Sequence, residues 1–597
     1  MRSARFYFDV SFGRDKKCEM AFSDQPQIEP VGISRPRKLL SAVRERLTAR
    51  PKHRFGWLSW LSLALAIALL APIAGVLLSA ATTDHGTIAH LSKTVLPRYA
   101  INSVLLALGV AAGVMVIGTA TAGLVVFCEF PGRRIFEWAL IVPLAFPAYI
   151  VAYAYTDLLS HPGLVQSTLR TLTGWGPRDY WFPEIRSLGG AIVMFTVVLY
   201  PYVYLLARNA FLQQSRGFSD AARTLGRSPF QVFLQTSLPL ARPAVVAGTT
   251  LALMETLADY GTVAHFGVQT FTTGIYRAWY SMDDLAAAAK LASLLLMLVL
   301  TLILVERLAR KSASYRNSHR ISDLPRYRLS AGRGWAAAIA CALPVLLGFV
   351  LPIVTLAHLH WIDGHDIFSG RYQAIIWNSV LLGGLAAGVA TLIATTIAFA
   401  GRLSPSPTSQ LASRLVQLGY AVPGSVIAIG ILLPLAGLDN GLDAFMRATF
   451  GVSTGLLLTG SVAALIFAYC IRFMAVSLNA IETSLIKIPK SIDAAALTLG
   501  STPAAMLRRV HLPLIREGLL TAILLVFVDV MKELPATLIL RPFNFDTLAV
   551  QAHKLASDER LAQASTPSLI LVTVGLIPVI LLSRQIMRTR SGRSAKP

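Results

Sequence analysis

Apolar runs of about 20 residues recur along the whole chain, and each is long enough to form a helix that crosses a lipid bilayer. The first run begins at Trp57, and short polar or basic stretches separate the later runs. Six runs occupy the first half of the chain: 57–81, 101–127, 136–159, 188–208, 243–264 and 285–305. Six more follow at 335–358, 375–400, 411–437, 454–478, 518–540 and 567–586. The pattern predicts an all-α polytopic membrane protein with about twelve transmembrane helices.

Lysine and arginine are concentrated in a few polar stretches, and they predict the orientation of the helices. The amino-terminal arm carries thirteen of these residues, the stretch 306–333 carries eight and the tail 584–597 carries five. With six spans in each half, all three stretches must lie on one side of the membrane. Because short basic loops face the cytoplasm, we expect both termini to be cytoplasmic.

The composition agrees with a protein embedded in lipid, since 54% of the residues are hydrophobic, only 14% are charged and the mean hydropathy is +0.59. The formal net charge of +23 would suit nucleic acid, but the basic residues lie between apolar runs and no nucleic-acid-binding motif occurs. We therefore expect no nucleic-acid partner. The polar, basic stretch 1–56 predicts no cleavable signal peptide.

The cysteines and histidines give no sign of a metal centre. Cys128, Cys341 and Cys470 lie in or beside apolar segments, so we expect buried free thiols. The eleven histidines form no metal-binding cluster. The sequence therefore predicts no static metal site and no cofactor.

The chain contains an internal repeat. NSVLLALGVAAG (102–113) recurs as NSVLLGGLAAGVA (378–390), and the same displacement takes Pro147 to Pro423. AARTLGRSPFQVFLQTSLPL (221–240) recurs as AALTLGSTPAAMLRRVHLPL (495–514), at almost the same displacement. Three matched blocks in one order indicate two copies of a six-helix unit. Such copies are expected to be related by a pseudo-twofold axis along the membrane normal, with a pathway between them.

The repeat predicts five segments along the chain. They are a basic cytoplasmic arm (1–56), a first six-helix half (57–305), a basic cytoplasmic linker (306–334), a second six-helix half (335–586) and a cytoplasmic tail (587–597).

The third matched block predicts two short helices on the cytoplasmic side, directly before the fifth span of each half. The first short helix ends at Gly226 in one copy and at Gly500 in the other. We call the displacement in residue number that takes Gly226 to Gly500 the loop shift. The second short helix begins at a hydroxyl residue followed by proline, which suits a helix start. A Leu-Pro pair, containing Pro239 or Pro513, is expected to close it. An interfacial hairpin would explain one copy, but it would not explain two copies with matched glycines and prolines.

This block resembles the EAA loop of ATP-binding-cassette (ABC) importer permeases. In that family the loop is the coupling helix that docks into a cleft on the ATPase subunit. The first copy matches the family pattern at Asp220, Ala221, Ala222 and Gly226, with aspartate in place of the usual glutamate.

The second copy departs from the pattern. Counting back from Gly500, the acidic position holds Ala494, followed by Ala495, while Asp493 lies one residue earlier. Either a slip of one residue restores the acidic contact, or the second half docks more weakly. No Walker A pattern occurs in the chain, so the resemblance implies a separate ATPase, in two copies for two loops, and no enzymatic activity here.

The fifth spans carry acidic residues at related positions. The loop shift takes Glu255 to Asp529 and Asp259 to Glu533. Within each helix the two carboxylates are four residues apart and share one face. Acids inside membrane spans usually face a bundle interior or an aqueous cavity. We therefore expect the four to line a path that suits a cation, and not an anion such as sulfate or phosphate.

Lys532 and Pro535 interrupt the same span in the second half and have no counterparts in the first. Lys532 could pair with Asp529 at i, i+3 or act as a gate, and Pro535 could mark a broken helix or a kink. The carboxylates could equally have structural or gating roles near a wet rim. Direct contact with the transported species and a structural role both stay open.

The segments 253–280 and 527–550 look like the corresponding segments of the fused two-half permeases of ferric-iron importers, and the similarity runs over nearly all of 57–590. The resemblance implies a permease of the bacterial inner membrane. It would receive Fe(III) from a periplasmic ferric-iron-binding protein while a partner ATPase dimer hydrolyses ATP. Carboxylate oxygens suit a hard cation, and binding must be transient so that the ion is not trapped.

Several alternatives stay open. The same machinery could import thiamine, or polyamines, although polyamine permeases usually keep their halves in separate chains. A secondary transporter or channel could use the acidic pairs as an ion relay, and a membrane scaffold or receptor would need no path. The two coupling loops argue against the last two classes, because neither has an ATPase to dock.

Overall fold

In the computed structural model of this chain, the described residues are 56–79, 87–176, 178–214, 224–311 and 326–594. The basic arm before Gly56 lies outside these residues, and so do residues 312–325 of the linker. The predicted coupling residues Asp220, Ala221 and Ala222 also lie outside the described residues.

The first half consists almost entirely of helices. Its elements are α1 (Gly56–Ser79), α2 (Thr87–Thr94), α3 (Leu96–Phe127), β1 (Cys128–Glu129), α4 (Arg133–Ala139), a 3-10 turn (Val142–Ala145), α5 (Ala148–Leu159), α6 (Leu164–Thr173), α7 (Leu188–Leu212), α8 (Pro229–Val232), a π turn (Phe233–Ser237), α9 (Leu238–Ala258), α10 (Gly261–His265), α11 (Phe271–Tyr276), a π turn (Arg277–Ser281) and α12 (Leu285–Lys311).

The second half repeats this order with small differences. Its elements are β2 (Tyr327–Arg328), α13 (Ala331–Val345), a π turn (Leu346–Val350), α14 (Leu351–Asp363), α15 (Gly370–Leu403), α16 (Pro407–Gly419), α17 (Gly424–Phe450), α18 (Val462–Ile486), α19 (Lys490–Thr498), α20 (Pro503–Met506), a π turn (Leu507–His511), α21 (Leu512–Leu514), α22 (Arg516–Lys532), α23 (Pro535–Leu540), α24 (Leu548–Ser557) and α25 (Leu561–Ser594).

Ten helices in the described part of the chain are long and apolar enough to cross a membrane, and one bent pair gives an eleventh span. The bent pair is Arg133–Ala145 with Ala148–Thr173, which meet at an angle of 92°. The remaining predicted span, 518–540, is divided between the 17-residue helix α22 and the short helix α23. Proline at the start of α23 cannot donate to a preceding turn, so the helix breaks there. The predicted all-α polytopic architecture is confirmed, with the fifth span of the second half broken.

The buried apolar residues form two cores, and each core mixes the two halves. One core is built mainly by the second to fifth spans of the first half together with α13, α14 and α25 of the second. The other is built mainly by α15 to α23 of the second half together with α1 and α12 of the first. The first and last spans of each half therefore pack against the middle spans of the other half.

Close backbone approach fixes α1 against the second half. A Cβ atom at Gly430 in α17 would lie 2.3 Å from the carbonyl oxygen of Pro72 in α1. Small residues allow such contacts between helices in lipid. Near the other end of α1, the Ser59 hydroxyl donates to Ser404 Oγ at 3.0 Å and accepts from Ser406 Oγ at 2.9 Å. The first span is thus held at both ends by residues of the other half.

Candidate functional site

Both fifth spans break at corresponding positions, and in each break a carboxylate caps the next short helix. In the first half, Asp259 Oδ1 accepts a hydrogen bond from the backbone N–H of Thr262 at 2.7 Å. In the second half, Glu533 Oε1 accepts from the backbone N–H of Ala536 at 2.9 Å. The loop shift also takes Thr262 to Ala536. Because a free backbone N–H is costly away from water, Asp259 and Glu533 stabilise the two breaks.

The other two acids, Glu255 and Asp529, lie one helical turn earlier, and both are more accessible than Glu533. The exposed fraction of the side chain is 33% for Glu255 and 31% for Asp529, compared with 1% for Glu533. The Tyr420 hydroxyl donates to Glu255 Oε1 at 3.3 Å. Lys532 Nζ lies 3.8 Å from Asp529 Oδ1, so the ion pair that the i, i+3 spacing predicted is present.

Arg472 in α18, which is missing from the predicted site, lies among these carboxylates. Its Nη1 atom is 3.4 Å from Glu533 Oε1, and its Nη2 atom is 3.8 Å from Glu255 Oε2. The two acids belong to different halves, so the guanidinium bridges them. The sequence carried a signal for this residue, because Arg472 is the one charged residue within the predicted span 454–478. A charge inside a membrane span is by itself a reason to expect a functional role.

The four carboxylates, Lys532 and Arg472 line a single cavity of about 120 Å³ between the two halves. Three tyrosines also line it: Tyr149, Tyr202 and Tyr420. The hydroxyl of the buried Tyr149 has no hydrogen-bond partner among the residues that the structure describes. The structure therefore brings together the residues predicted for the path and adds a cation and phenol groups to them.

Gly424, at the start of α17, makes room for the central ion pair. A Cβ atom at this position would lie 2.4 Å from Arg472 Nη1 and 2.6 Å from Glu533 Oε1. Real Cβ atoms do not approach other atoms this closely. Any larger residue here would displace the guanidinium, the carboxylate or both.

The cavity contains more carboxylates than cationic groups, four against two. In the described part of the chain, no three histidine, cysteine or acidic side chains converge closely enough to hold a metal ion. A mobile cation would therefore compete with Arg472 and Lys532 for the carboxylates instead of entering a preformed chelating site. Such an arrangement can bind a cation briefly and release it, as a path requires.

A second pair of candidate sites lies at the other end of the fifth spans, where the short helices were predicted. Gly226 and Gly500 have φ values of +77° and +79°, which favour glycine. Ser228 Oγ accepts from the N–H of Gln231 at 3.3 Å, and Thr502 Oγ1 accepts from the N–H of Ala505 at 3.2 Å. The predicted glycine turns and hydroxyl caps are therefore present in both halves.

The residue before each of these glycines is an exposed leucine. Leu225 is 81% exposed and Leu499 is 85% exposed, and the loop shift relates the two. Apolar side chains that are this exposed outside the lipid-facing helices are suited to contact with another protein. We name Leu225–Gly226 and Leu499–Gly500 the coupling turns.

The prediction that a Leu-Pro pair closes the second short helix is wrong for the first half. The chain runs as one helix from Pro229 to Ala258, with Pro239 inside it, so the fifth span begins well before the predicted residue 243. A π turn precedes Pro239 and already changes the hydrogen-bond pattern, which accommodates a residue without an N–H. In the second half, α21, which contains Pro513, does end at Leu514.

Asp493 is committed to contacts inside the protein. Its carboxylate bonds the Arg402 guanidinium, with Nε to Oδ2 at 2.8 Å and Nη2 to Oδ1 at 3.2 Å. His511 Nε2, which is fully buried, lies 2.8 Å from Oδ1. Arg402 also donates to the carbonyl oxygens of Leu485 and Ile488. Asp493 therefore ties α19 to neighbouring helices.

The comparison with a family profile reproduces the repeat. The profile described as binding-protein-dependent transport system inner membrane component matches residues 114–314 and again residues 390–590. The two matches are displaced by the same amount as Asn102 and Asn378, the first residues of the first matched block.

Individual relatives cover different shares of the chain. The Fe(3+)-transport system permease protein FbpB 2 of Haemophilus influenzae is 26% identical over 544 residues, which is 89% of this chain and 99% of that protein. The ferric transport system permease protein FbpB of Actinobacillus pleuropneumoniae is 23% identical over 427 residues, 67% of this chain and 58% of that protein. A permease of Salmonella choleraesuis named for 2-aminoethylphosphonate transport is 28% identical over 222 residues, 36% of this chain and 76% of that protein.

Proposed function

Because this chain belongs to the family of binding-protein-dependent transport system inner membrane components, we propose that it is the permease subunit of an ABC importer that carries ferric iron. The family domain occurs twice in the chain, so one polypeptide supplies both halves of the permease. One relative that it matches over nearly the full length of both proteins is named for Fe(3+) transport.

The observation that carries the proposal is the central cavity, which is lined by carboxylates from both halves. Fe(III) is a hard cation, and hard cations favour oxygen ligands such as carboxylates and phenols. Glu255 and Asp529 are partly exposed in this cavity, and the Tyr420 hydroxyl donates to Glu255 Oε1. We assign Glu255 and Asp529 to transient contact with iron, and Asp259 and Glu533 to support of the helix breaks.

The coupling turns are the proposed docking sites for a separate ATPase, one subunit at each turn. Leu225 and Leu499 would enter apolar clefts on the two ATPase subunits, and the glycines allow the sharp turns that expose them. This assignment places the coupling turns and both termini in the cytoplasm. The opposite ends of the fifth spans then face the periplasm, where a ferric-iron-binding protein would deliver its cargo.

The test is iron uptake by cells that express the full transporter with neutralised acids. We expect Glu255→Gln combined with Asp529→Asn to reduce accumulation of radioactive Fe(III) by about tenfold or more, since one lost charge contact typically changes binding by over ~1 kcal/mol. Glu517→Gln is the matched control, because Glu517 is an exposed carboxylate in α22, the helix that carries Asp529. Unchanged uptake by the double variant, at equal protein level, would contradict the proposed role of the cavity.

A second candidate cargo is an aminophosphonate, because a relative that matches part of the chain is named for its transport and the cavity also contains Arg472 and Lys532. Thiamine and polyamines are the organic cations that the same machinery could carry. Each is tested in two ways with the same binding protein present. An excess of a true cargo will reduce the uptake of labelled iron, and a labelled true cargo will itself accumulate in the cells. Accumulation of one of these molecules without any iron uptake would replace iron as the cargo.

A further inference from the structure

The Asn-Ser pair that begins the first matched block has a structural role in the first half. Asn102 and Ser103 lie near the start of α3. Asn102 Nδ2 donates to the carbonyl oxygen of Gln269 at 2.9 Å, and Ser103 Oγ accepts from the backbone N–H of Phe271 at 3.2 Å. Phe271 is the first residue of α11, so the serine satisfies an N–H that has no partner within its own helix.

The second half repeats these contacts. Asn378 Nδ2 donates to the carbonyl oxygen of Asp546 at 3.4 Å, and Ser379 Oγ accepts from the backbone N–H of Leu548 at 2.8 Å. Leu548 is the first residue of α24. In both halves the pair therefore holds the segment that follows the broken fifth span. We call residues 269–281 the first arm and residues 546–559 the second arm.

The first arm reaches across to the second half. The Tyr276 hydroxyl donates to the carbonyl oxygen of Pro535, and the Tyr280 hydroxyl donates to that of Leu538 at 2.5 Å. Both acceptors belong to α23, the short helix beyond the break. The Tyr276 ring also stacks on Tyr260, with ring centres 3.7 Å apart.

The second arm reaches in the opposite direction, to the first half. His553 Nδ1 lies 3.0 Å from the Tyr153 hydroxyl, and its ring contacts Tyr260 with centres 5.6 Å apart. Glu559 forms a two-pronged ion pair with Arg186, with N–O distances of 2.7 and 2.8 Å. Hydrogen bonding to Arg186 lowers the pKa of the Glu559 carboxyl, so this pair is charged at neutral pH.

The residues that receive the arms adjoin the central cavity. Pro535 lines it, and the Tyr153 ring contacts the lining residue Tyr149, with centres 5.7 Å apart. The arms follow the carboxyl ends of the fifth spans, whereas the coupling turns precede their amino ends. The arms and the coupling turns therefore lie at opposite ends of these spans. We name the two sides the arm face and the coupling face.

We propose that the two arms are reciprocal latches that close the cavity on the arm face, and that the duplicated Asn-Ser pairs are the positioning residues that hold them. This inference rests on the proposed path through the cavity. Each arm is fixed to its own half by backbone contacts and to the other half by side-chain contacts. Separation of the halves at this face would break the contacts between the halves and leave the contacts within each half intact. Because most of the bonds across the halves are single neutral hydrogen bonds, they can break and re-form in each transport cycle.

Thiol labelling tests the latches without any cargo. In the full chain with its four cysteines changed to serine, Ala258→Cys places one thiol in the cavity lining. A membrane-impermeant thiol reagent is applied to either face, using intact cells or inverted vesicles. We expect Tyr276→Phe with Tyr280→Phe to raise the labelling rate about tenfold from the arm face alone, as the loss of two hydrogen bonds shifts the population toward the open state.

The matched control is Tyr155→Phe. The Tyr155 hydroxyl also donates to a carbonyl oxygen of the other half, that of Leu347 at 2.8 Å, but it belongs to neither arm. We expect this variant to label at the original rate. Equal acceleration in the control, equal acceleration from both faces, or no acceleration in the arm variant would each overturn the proposal.

The positioning residues have their own test. Ser103→Ala with Ser379→Ala removes both hydroxyl acceptors, and we expect faster labelling from the arm face. Ser103→Thr with Ser379→Thr keeps a hydroxyl at each position, and we expect the original rate. An alanine variant that labels no faster than the threonine variant would overturn the positioning role. The labelling uses no iron, so these results are independent of the uptake test of the proposed function.

Discussion

At the scale of single residues, the carboxylates of the fifth spans divide into two kinds by what their oxygens contact. Asp259 and Glu533 accept backbone hydrogen bonds within the breaks, whereas Glu255 and Asp529 face the cavity with part of their surface free. Arg472 contacts one carboxylate of each kind, Glu533 and Glu255. One guanidinium in the cavity is therefore shared by carboxylates of both halves.

Gly424→Ala tests how closely this guanidinium must pack. The added methyl group would overlap Arg472 Nη1 and Glu533 Oε1, and overpacking of this kind costs about 1–3 kcal/mol. We expect iron uptake to fall severalfold at an unchanged protein level. Gly388→Ala is the control, because a Cβ atom there meets no atom within 4 Å in the described structure. Normal uptake by the Gly424 variant would show that the ion pair can move without loss.

Arg472→Met tests whether the ion pair is structural. Removal of one partner of a buried pair costs about 3–5 kcal/mol, whereas removal of both costs much less. We therefore expect Arg472→Met to lower the midpoint of thermal unfolding of the purified protein. Arg472→Met with Glu533→Gln should regain part of the loss, since glutamine can still cap α23. A double variant no more stable than the single variant would contradict this account.

The positions of the acids could be predicted from the sequence, but their different roles could not. Spacing and the internal repeat were sufficient to predict that Glu255, Asp259, Asp529 and Glu533 lie together, and the four line one cavity. Which of them bonds the backbone depends on where each helix breaks, and in the first half no proline marks the break before Gly261. Arg472 was detectable as a lone charge in an apolar run, but its partners come from distant segments and have no sequence pattern.

At the scale of elements, the two ends of each fifth span differ in their contacts with the rest of the protein. The coupling turns are exposed at one end, and the arms are bonded across the halves at the other. In the second half, Asp493, Arg402 and His511 also fix α19 to its neighbours. The loop shift relates His511 to Ser237, and the displacement of the first matched block relates Arg402 to Val126, so the first half cannot form the same anchor.

Gly226→Val and Gly500→Val test the coupling turns. A β-branched residue with positive φ costs about 1–3 kcal/mol, and it would move the exposed leucines away from their partner. We expect ATP-driven uptake to be abolished while the protein remains in the membrane. Gly451→Val is the matched control, because Gly451 also has positive φ, at +68°, but lies after α17, far along the chain from both turns. Uptake that persists in both coupling variants would remove the docking assignment.

The anchor of α19 is tested by a double-mutant cycle that measures ATPase association. If Asp493 acts through Arg402, then Asp493→Ala, Arg402→Ala and the combined variant should weaken association to a similar extent. We expect each to reduce the amount of co-purified ATPase severalfold. Additive losses would instead indicate that Asp493 contacts the ATPase directly, as the slipped-contact alternative required.

Helix starts were predicted correctly where they depend on adjacent residues, and less well where they depend on the hydrogen-bond pattern of the backbone. The caps at Ser228 and Thr502 were found because they depend on adjacent residues alone. The start of the first-half fifth span was placed too late, because Pro239 was expected to end a helix that a π turn in fact continues. A π turn has no known residue preference of comparable strength, so this feature could not be obtained from the sequence.

At the scale of the whole molecule, the repeat and the packing divide the chain differently. The repeat assigns six spans to each half. Each core, however, joins the middle spans of one half to the first and last spans of the other half. Neither half can therefore bury its own apolar surface completely. The internal repeat could be read from matched residues, whereas the exchange of spans could not, because it changes no residue within either copy.

A divided chain tests this exchange. Fragments separated within residues 312–325, between α12 and β2, should restore iron uptake when they are expressed together, because the cores can form from two polypeptides. Either fragment expressed alone should be degraded, since its middle spans would lack the helices that cover them. A single fragment that accumulates as a stable protein would contradict the proposed mutual dependence.

The single Arg472 has a further consequence for how such a cavity can evolve. By the loop shift its counterpart is Val198, and the counterpart of Lys532 is Ala258. A permease assembled from two identical subunits must present every side chain twice around its axis, so its cavity can gain or lose charges only in pairs. A chain that holds both copies can change them one at a time. It can therefore adopt an odd number of cations, and one guanidinium can serve two carboxylates without a second guanidinium to repel it.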